Sequence, residues 1–437
     1  MTTADGHIAA TEHDDGTVAR RQVFYIPGYD PFPPRRYREL YRKEGRAQAA
    51  LSGYSLAVTG QPGAGGSGWT VIAGIEAADV TTDIEVLVWS DIVQATMGHG
   101  ILATYAQMLR TAWTYIGSGA IFRLARLRKG PTLAALYPVL ALAMGFLAAA
   151  ALGLLAGRIA GRVVPVSGFM QTAAGLAVGL LVGWTVLLAL RRADGHLYAY
   201  YLMHDYAYAA SHLGATPPAL DARLRQFARR IAAALSGTAD EVLVVGHSSG
   251  AHLGVQVLAE VIRGGHVRAG GAELSFLSLG HVVPMVSFLP RAADLRRDLA
   301  YLSARGDLTW VDVTAPGDGC AFALCDPVAV TGVAPDGQRW PLVLSAAFTR
   351  TLSPALWRRL RWRFFRLHFQ YLCAFDALPD RSDVYDYFRV TAGPLTLARR
   401  FGGRAPSASR IVRPLSGYRT VSPDPIPDPD HLAGAAA

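Results

Sequence analysis

The amino-acid sequence predicts an α/β fold in which a mainly parallel sheet is flanked by helices and carries an inserted pair of transmembrane helices. Short runs of β-branched and other apolar residues alternate with longer stretches of helical periodicity, as such a sheet requires. The insertion follows from composition, because 51% of the 437 residues are hydrophobic and the excess is concentrated in one region.

A polar lead, predicted strands and predicted helices precede that region. Residues 1–20 lack both periodicity and an apolar run of the length that a cleavable signal needs, so they predict a disordered lead. Residues 21–129 are expected to form the first part of the α/β domain. Its predicted strands are Val23–Ile26, Tyr54–Thr59, Trp69–Ile75 and Ile84–Trp89, and its predicted helices are Arg35–Leu51 and Ile101–Leu127. The second helix has an apolar stripe that suits packing against the sheet or contact with lipid.

Two uncharged stretches, Gly130–Gly157 and Val163–Leu190, each exceed the roughly 20 residues that a helix needs to cross a bilayer. They predict a transmembrane hairpin over residues 130–190, with a tight turn at Arg158–Arg162. Because two spans return the chain to the side on which it started, the parts before and after the hairpin can form one domain.

Charge and cysteine content predict the orientation of this hairpin. Arg158 and Arg162 are the basic residues of the turn, whereas the outer flanks carry Arg123, Arg126, Arg128, Lys129, Arg191 and Arg192. This asymmetry predicts an integral protein of the inner or plasma membrane whose α/β domain lies in the cytoplasm. The three cysteines suit a thiol-reducing compartment, because so small and odd a number does not indicate a disulfide framework.

Residues 191–401 are expected to form the second part of the domain, and residues 402–437, rich in Gly, Pro, Ser and Ala, a disordered tail. The predicted strands here are Glu241–Val245, Leu274–Leu279 and Leu308–Val313, and the predicted helices are Tyr198–Leu235, interrupted at Thr216–Pro218, and Ala292–Ala304. A turn signal at Pro335–Gly337, between Val328–Val333 and Trp340–Ser345, predicts a late β-hairpin.

The motif Gly246-His247-Ser248-Ser249-Gly250 joins an apolar run to a helical pattern. A Gly-x-Ser-x-Gly turn between a strand and a helix holds its serine on a strained bend, where a side chain in place of either glycine would clash. Ser248 is therefore the candidate nucleophile. Ser249 lies one residue past the apex, and its backbone N–H at the helix N-terminus is a candidate donor to an oxyanion.

A nucleophilic serine of this kind needs an acid and a histidine base, which follow it in that order along the chain. His368 is preferred as the base over His281, which comes directly after the next predicted strand. Asp318 lies in a loop just past a predicted strand and is the expected acid. Asp312, within that strand, and Asp326, before a proline, stay open as alternatives.

A second N–H donor to the oxyanion is expected from the loop after the first predicted strand, Tyr25-Ile26-Pro27-Gly28-Tyr29-Asp30. Gly28 has no side chain to keep a substrate carbonyl from the backbone, and the N–H of Tyr29 is the expected donor.

Together these motifs resemble the α/β-hydrolase superfamily over residues 20–400, apart from the hairpin. Pro27 stands where many relatives have His. The resemblance implies a membrane-anchored, lipase-like or esterase-like serine hydrolase that cleaves a carboxylic ester through a Ser-His-Asp triad and an acyl-enzyme, without a cofactor or metal. An acyltransferase with the same triad and a catalytically inactive membrane scaffold stay open as alternatives.

Between Trp357 and Phe369 five arginines are interleaved with five aromatic residues, and the whole chain has a formal net charge of +9. Tryptophan among headgroups and arginine on lipid phosphate are typical of a bilayer surface, so the segment predicts contact with membrane lipid. A plain packed helix is the alternative, and nucleic acid is not an expected partner.

Overall fold

A computed structural model of the chain describes residues 17–60, 67–97, 100–163 and 168–424. Within them eight strands form one sheet, in the order β2-β3-β4-β1-β5-β6-β7-β8. The strands are β1 (Arg20–Ile26), β2 (Ser55–Gly60), β3 (Gly68–Ile75), β4 (Ala78–Val86), β5 (Glu241–His247), β6 (Glu273–Leu279), β7 (Thr309–Thr314) and β8 (Leu342–Ser345). From β4 to β8 the neighbours pair in parallel, whereas β2, β3 and β4 pair antiparallel. The predicted α/β class with a mainly parallel sheet is confirmed.

Helices cover both faces of this sheet. They are α1 (Arg35–Ser52), α2 (Ser90–Met97), α3 (Ile101–Gly117), α4 (Ala120–Leu127), α5 (Lys129–Val163), α6 (Phe169–Arg192), α7 (Asp194–Leu197), α8 (Ala199–Ser211), α9 (Pro218–Leu235), α10 (Gly250–Arg263), α11 (Val283–Ser287), α12 (Ala293–Ala304), α13 (Pro327–Thr331), α14 (Phe348–Thr351), α15 (Pro354–Leu360), α16 (Phe364–His368), α17 (Tyr387–Ala392) and α18 (Leu397–Phe401). A single 3₁₀ turn, Gln370–Leu372, follows α16.

The central strand β5 has apolar residues on both sides, which is typical of a parallel strand covered by helices on both faces. Val242 and Val244 belong to one buried core, and Leu243 and Val245 belong to the core on the opposite face. Ile26 of β1 pairs with the end of β5, so the carboxyl ends of these two strands lie side by side. The loops that follow them therefore meet at one edge of the sheet.

Two strand predictions need correction. β4 begins at Ala78 rather than Ile84, because its antiparallel pairing with β3 runs back to the turn between them. The late hairpin is wrong. Residues Pro327–Thr331 form α13, since the Asp326 carboxylate accepts hydrogen bonds from the N–H groups of the first turn and proline suits that turn. β8 then pairs in parallel with β7.

α5 and α6 are long and apolar enough to cross a membrane, with mean hydropathies of 2.4 and 2.2. Only 17% and 11% of their most apolar windows are buried, which distinguishes them from core helices of soluble proteins. The predicted turn at Arg158–Arg162 is wrong, because α5 continues through Val163. The segment that joins the two helices begins after Val163, and the proline of that stretch, Pro165, comes later in the sequence than the predicted turn.

Glycines bring α5 and α6 into close contact. A Cβ on Gly153 would lie 2.6 Å from the carbonyl oxygen of Gly179, and a Cβ on Gly157 would lie 2.6 Å from that of Gly175. Such distances are too short for any side chain, so the two backbones touch directly. Small residues spaced four apart produce this packing between helices in membranes, where apolar side chains gain little by leaving lipid.

The predicted helix Ile101–Leu127 is two helices, α3 and α4, separated at Gly119, which has a φ of 71°. One face of α3 packs against α8, and the opposite face is exposed although it is apolar. Its large exposed side chains are Leu102, Leu109, Trp113 and Ile116, at helical spacing. Helix α3 is therefore apolar on two faces, one packed against α8 and the other exposed.

Residues 402–424 differ from the predicted disordered tail. The chain exchanges backbone hydrogen bonds with the body around Ile411, whose N–H donates to Leu324 and whose carbonyl accepts from Asp326. Farther along, Arg296 donates to the carbonyl oxygen of Thr420. The polar and proline-rich composition of this segment predicted disorder because it supplies no apolar face. Hydrogen bonds to its backbone nevertheless fix the segment on the domain. Residues 1–16 of the predicted lead and 425–437 of the tail lie outside the described residues.

Candidate active site

Ser248 lies at the turn between β5 and α10, on the edge of the sheet described above. Its φ is +58°, a backbone conformation that costs free energy in a residue other than glycine and that is typical of functional turns. A Cβ on Gly250 would lie 2.0 Å from the carbonyl oxygen of Ile26, and one on Gly246 would lie 2.6 Å from that of Gly250. The two glycines are therefore required for this bend, which leaves Ser248 lining a pocket.

His368, at the end of α16, lines the same pocket and is bonded to Asp318. Its Nδ1 lies 2.7 Å from Oδ2 of the carboxylate. Because a carboxylate accepts, Nδ1 carries the proton and Nε2 presents a lone pair, the tautomer that a general base requires. The side chain of His368 bonds through Nδ1, and its backbone carbonyl accepts from His247, so Nε2 has no hydrogen-bond partner among the described residues.

Asp318 is buried, and three donors hold its carboxylate. Besides His368, the Tyr371 hydroxyl donates to Oδ2 at 3.0 Å and the Cys320 N–H donates to Oδ1 at 2.9 Å. Burial raises the pKa of Asp318, but His368 and these donors outweigh that cost, so the pKa lies below its usual value. The carboxylate is thus charged and fixed, as is needed to orient and stabilise an imidazolium.

The two alternative acids have other partners. Asp312 accepts from the Ser278 hydroxyl at 2.6 Å, and its other oxygen lies 3.7 Å from Nε2 of His281. Asp326 caps α13 and accepts from the Gln338 amide at 2.8 Å. Neither carboxylate contacts His368. The structure therefore brings Asp318, of the three, to the histidine that lines the pocket.

His281 and His247 are both buried beside the site. Nε2 of His281 lies 3.0 Å from the carbonyl oxygen of Cys325, and the side chain does not reach the pocket. Nε2 of His247 donates to the backbone carbonyl of His368 at 2.9 Å. Burial lowers the pKa of His247 to about 3, so it is neutral and ties the loop of His368 to β5.

The loop after β1 lies over Ser248. A Cβ on Gly28 would lie 3.0 Å from Cβ of Ser248 and 3.4 Å from its Oγ. The N–H groups of Tyr29 and Ser249 donate to no other described residue. N–H groups without an acceptor next to Ser248 suit a developing oxyanion, and the oxyanion role of Tyr29 and Ser249 stays a prediction.

Two aromatic side chains that the sequence did not single out hold this loop. Trp89 Nε1 donates to the carbonyl oxygen of Pro27 at 3.0 Å, and the Tyr201 hydroxyl donates to that of Tyr29 at 2.6 Å. Tyr201 belongs to α8, which follows the apolar helix pair. No local sequence signal could identify these contacts, because the partners are far apart along the chain.

The pocket is a cleft that opens to solvent. Its walls come from the loops after β1 and β5, from α8 and from the segment around His368, and Pro131 at the start of α5 also contributes. Much of its lining is aromatic or aliphatic, as is common for pockets that bind small molecules. The first turn of α5, where the apolar helix pair begins, is therefore part of the wall of the pocket.

Three possible metal donors lie close together in the site. Ligand atoms of Asp318, Cys320 and His368 are within 4.8 Å of one another. A cation held by Nδ1 of His368 and by the carboxylate would displace the hydrogen bond between them. Burial raises the pKa of the Cys320 thiol well above its usual value, and a protonated thiol is a weak ligand. The donor set therefore suits a hydrogen-bonded pair better than a metal centre.

Comparisons of the chain with protein-family models, with curated proteins and with solved structures find no match. The chemical roles of these residues must therefore be inferred from the geometry of the pocket alone.

Proposed function

We propose that the chain is a membrane-anchored serine hydrolase of the α/β-hydrolase type that cleaves a carboxylic ester. One observation carries the proposal: Ser248, on a strained strand-to-helix turn, lines the same pocket as a histidine bonded to a buried carboxylate. Nucleophile, base and orienting acid in one cleft constitute the recurring arrangement for acyl transfer.

In the proposed reaction Nε2 of His368 takes the proton of Ser248 as Oγ attacks the ester carbonyl. The resulting oxyanion accepts hydrogen bonds from the N–H groups of Tyr29 and Ser249. His368 then returns the proton to the leaving alcohol, and the acyl group stays on Oγ. Water, deprotonated by the same imidazole, releases the acid. Asp318 stays ionised throughout, stabilising the imidazolium without taking its proton.

We propose that α5 and α6 cross the bilayer, since they expose apolar surface over most of their length and contact each other through glycines. The exposed apolar face of α3 adjoins them and suits burial in the membrane surface. Trp362 is 72% exposed in a stretch of exposed arginines, and nearby Phe365 contacts Tyr198, a few residues beyond α6. This stretch suits lipid headgroups.

The hydrolase proposal is tested with the full chain in detergent micelles and p-nitrophenyl esters of increasing acyl length. Turnover that requires Ser248 supports it. Folded protein with no turnover on any ester, or turnover unchanged in Ser248→Ala, contradicts it. Chelation by EDTA serves as a control, because a metal-dependent reaction at Asp318, Cys320 and His368 would lose activity on chelation.

Product analysis separates hydrolysis from acyl transfer by the same triad. The enzyme is incubated with an ester and increasing glycerol, and free acid and new ester are measured. We expect free acid as the main product, because water resolves the acyl-enzyme in the proposed reaction. Predominant new ester would assign the chain as an acyltransferase.

A further inference from the structure

Asp205 is a carboxyl group that the proposed reaction does not use, although it lines the same pocket. It lies on α8, and Tyr201 and Tyr208 occupy the same face of this helix at i−4 and i+3. No hydrogen bond joins its carboxylate to another described residue. Because Asp205 is half-buried, a ligand that fills the pocket would displace water from this carboxylate and must therefore supply its partner.

Three phenols around Asp205, those of Tyr29, Tyr115 and Tyr201, do not compensate it because they donate elsewhere. The Tyr29 hydroxyl donates to Thr96 Oγ at 2.6 Å, since that threonine itself donates to a backbone carbonyl. The Tyr115 hydroxyl donates to the carbonyl oxygen of Met285 at 3.0 Å, and Tyr201 donates to that of Tyr29. What these three side chains offer to the pocket is therefore ring surface, whereas the buried hydroxyl of Tyr208 has no hydrogen-bond partner among the described residues.

Aromatic rings form a connected group in this wall. The ring of Tyr29 lies 5.8 Å from that of Tyr208, 6.1 Å from that of Trp89 and 6.5 Å from that of Tyr201, measured between centroids. All four side chains line the pocket. Aromatic rings beside a carboxylate are the surroundings that proteins use to bind alkylated ammonium groups.

The pocket lining has carboxyl groups but no permanently cationic side chain. None of the described residues that line it is lysine or arginine, although the chain has 42 such residues against 33 acidic ones. Burial lowers the pKa of His252 to about 4, so this lining imidazole is neutral, as is His247. The second acidic lining residue, Asp30, is already compensated by the Tyr37 hydroxyl at 2.6 Å and by Arg36 at 3.5 Å.

We propose that Asp205 and the surrounding aromatic rings bind a cationic, alkylated ammonium group on the substrate, so that the chain prefers esters bearing such a group. That the cationic group belongs to an ester substrate depends on the proposed function, whereas the existence of the cation site does not. Anionic esters are disfavoured, because no lysine or arginine of the described pocket lining would meet them.

The protonation state of Asp205 gives this site a pH dependence. Burial raises the pKa of Asp205 to about 7, and nearby His368 lowers it in part. Other titratable neighbours are Tyr29, Tyr115, Tyr201, Tyr206 and Cys320, each of whose pKa values is raised by burial and further by Asp205. A cation must displace the proton below pH 7, so its affinity should fall by up to about tenfold per pH unit there.

The test compares butyrylcholine with 3,3-dimethylbutyl butyrate, which has carbon in place of the quaternary nitrogen. We expect kcat/KM of the full-length protein in detergent to favour the cationic ester by about tenfold or more at pH 8. Asp205→Asn should abolish most of this ratio. Asp91→Asn, an exposed carboxylate paired with Arg223 outside the pocket, should keep it. Equal ratios in wild type and Asp205→Asn would overturn the proposal.

A second measurement needs neither turnover nor a variant that folds. Choline should raise the thermal midpoint of the wild-type protein more than 3,3-dimethylbutan-1-ol does at pH 8, and the difference should shrink at pH 5.5. Equal shifts by the two alcohols would refute the cation site whatever the esters show. A choline-specific shift without hydrolysis of either ester would preserve the site and count against the hydrolase function.

Discussion

Nδ1 of His368 lies 2.7 Å from Oδ2 of Asp318, although 50 residues separate them along the chain. The Tyr371 hydroxyl donates to the same oxygen, and His247 holds the histidine's backbone from the other side. This arrangement fixes both the tautomer and the direction of the imidazole. The predictions on the acid and the base follow from it.

Asp318→Asn should lower kcat by about three to four orders of magnitude, because an amide cannot hold the histidine in the required tautomer or stabilise the imidazolium. Asp326→Asn should stay close to wild type, since asparagine also caps a helix. Asp312→Asn should do likewise, because Asp312 is not bonded to His368 and an amide oxygen can still accept from the Ser278 hydroxyl. Rates are compared per folded molecule. A larger loss at Asp312 or Asp326 would reassign the acid.

His368→Ala should lose activity to a similar extent, leaving only the contributions of the oxyanion donors and of binding. His281→Gln is the matched control, since His281 is also a buried histidine near a carboxylate but does not line the pocket. We expect lower thermal stability and nearly normal kcat for this control. If His281→Gln eliminated turnover in a folded protein while His368→Ala preserved it, His368 would be wrongly assigned as the base.

Gly157→Leu should destabilise the helix pair by about 1–3 kcal/mol, because its side chain would collide with the backbone of Gly175. Ala151→Leu lies on an exposed part of the same helix and should have little effect. Thermal unfolding in detergent, followed by helical circular dichroism, measures the difference. Equal midpoints for the two variants would show that α5 and α6 do not pack through these glycines.

The basic flanks of the helix pair predict that the α/β domain is cytoplasmic. The test uses intact cells, a membrane-impermeant thiol reagent, and two separate variants: Ser167→Cys in the segment between α5 and α6, and Ser409→Cys at an exposed position of the domain. Native Cys325 and Cys373 are buried, and the wild-type protein measures the background from the partly exposed Cys320. We expect labelling at position 167 and protection at 409. The reverse pattern would invert the topology, and protection of both in carbonate-extractable protein would exclude spanning.

Patterns local in sequence predicted much of this structure. The alternation of strands and helices, the turn at Ser248 and the two apolar helices all depend on residues that are neighbours along the chain. The prediction of a late hairpin was wrong because the capping carboxylate of Asp326 and the proline after it favour a helix, although the residues that follow are mostly β-branched. The predicted position of the turn in the helix pair was wrong because the charged residues Arg158 and Arg162 do not end a helix.

Features formed by distant segments were beyond sequence reasoning. Sequence position favoured Asp318 but left Asp312 and Asp326 open, because which carboxylate meets a histidine on another element is not encoded locally. Tyr201 and Asp205 carry no motif, and they reach the pocket only because α8 follows the apolar insertion and packs over the loop of Tyr29. Glycines spaced four apart in α5 and α6 were a signal that could have predicted their close contact.

The most direct measurement of the proposed chemistry is covalent labelling of the full-length protein by a fluorophosphonate, with the adduct located by peptide mass spectrometry. We expect one adduct, on Ser248, absent from Ser248→Ala and strongly slowed in His368→Ala, because phosphonylation requires a serine that a base has activated. Folded wild-type protein that forms no adduct, or an adduct that persists in Ser248→Ala, would contradict the assignment of Ser248 as the nucleophile.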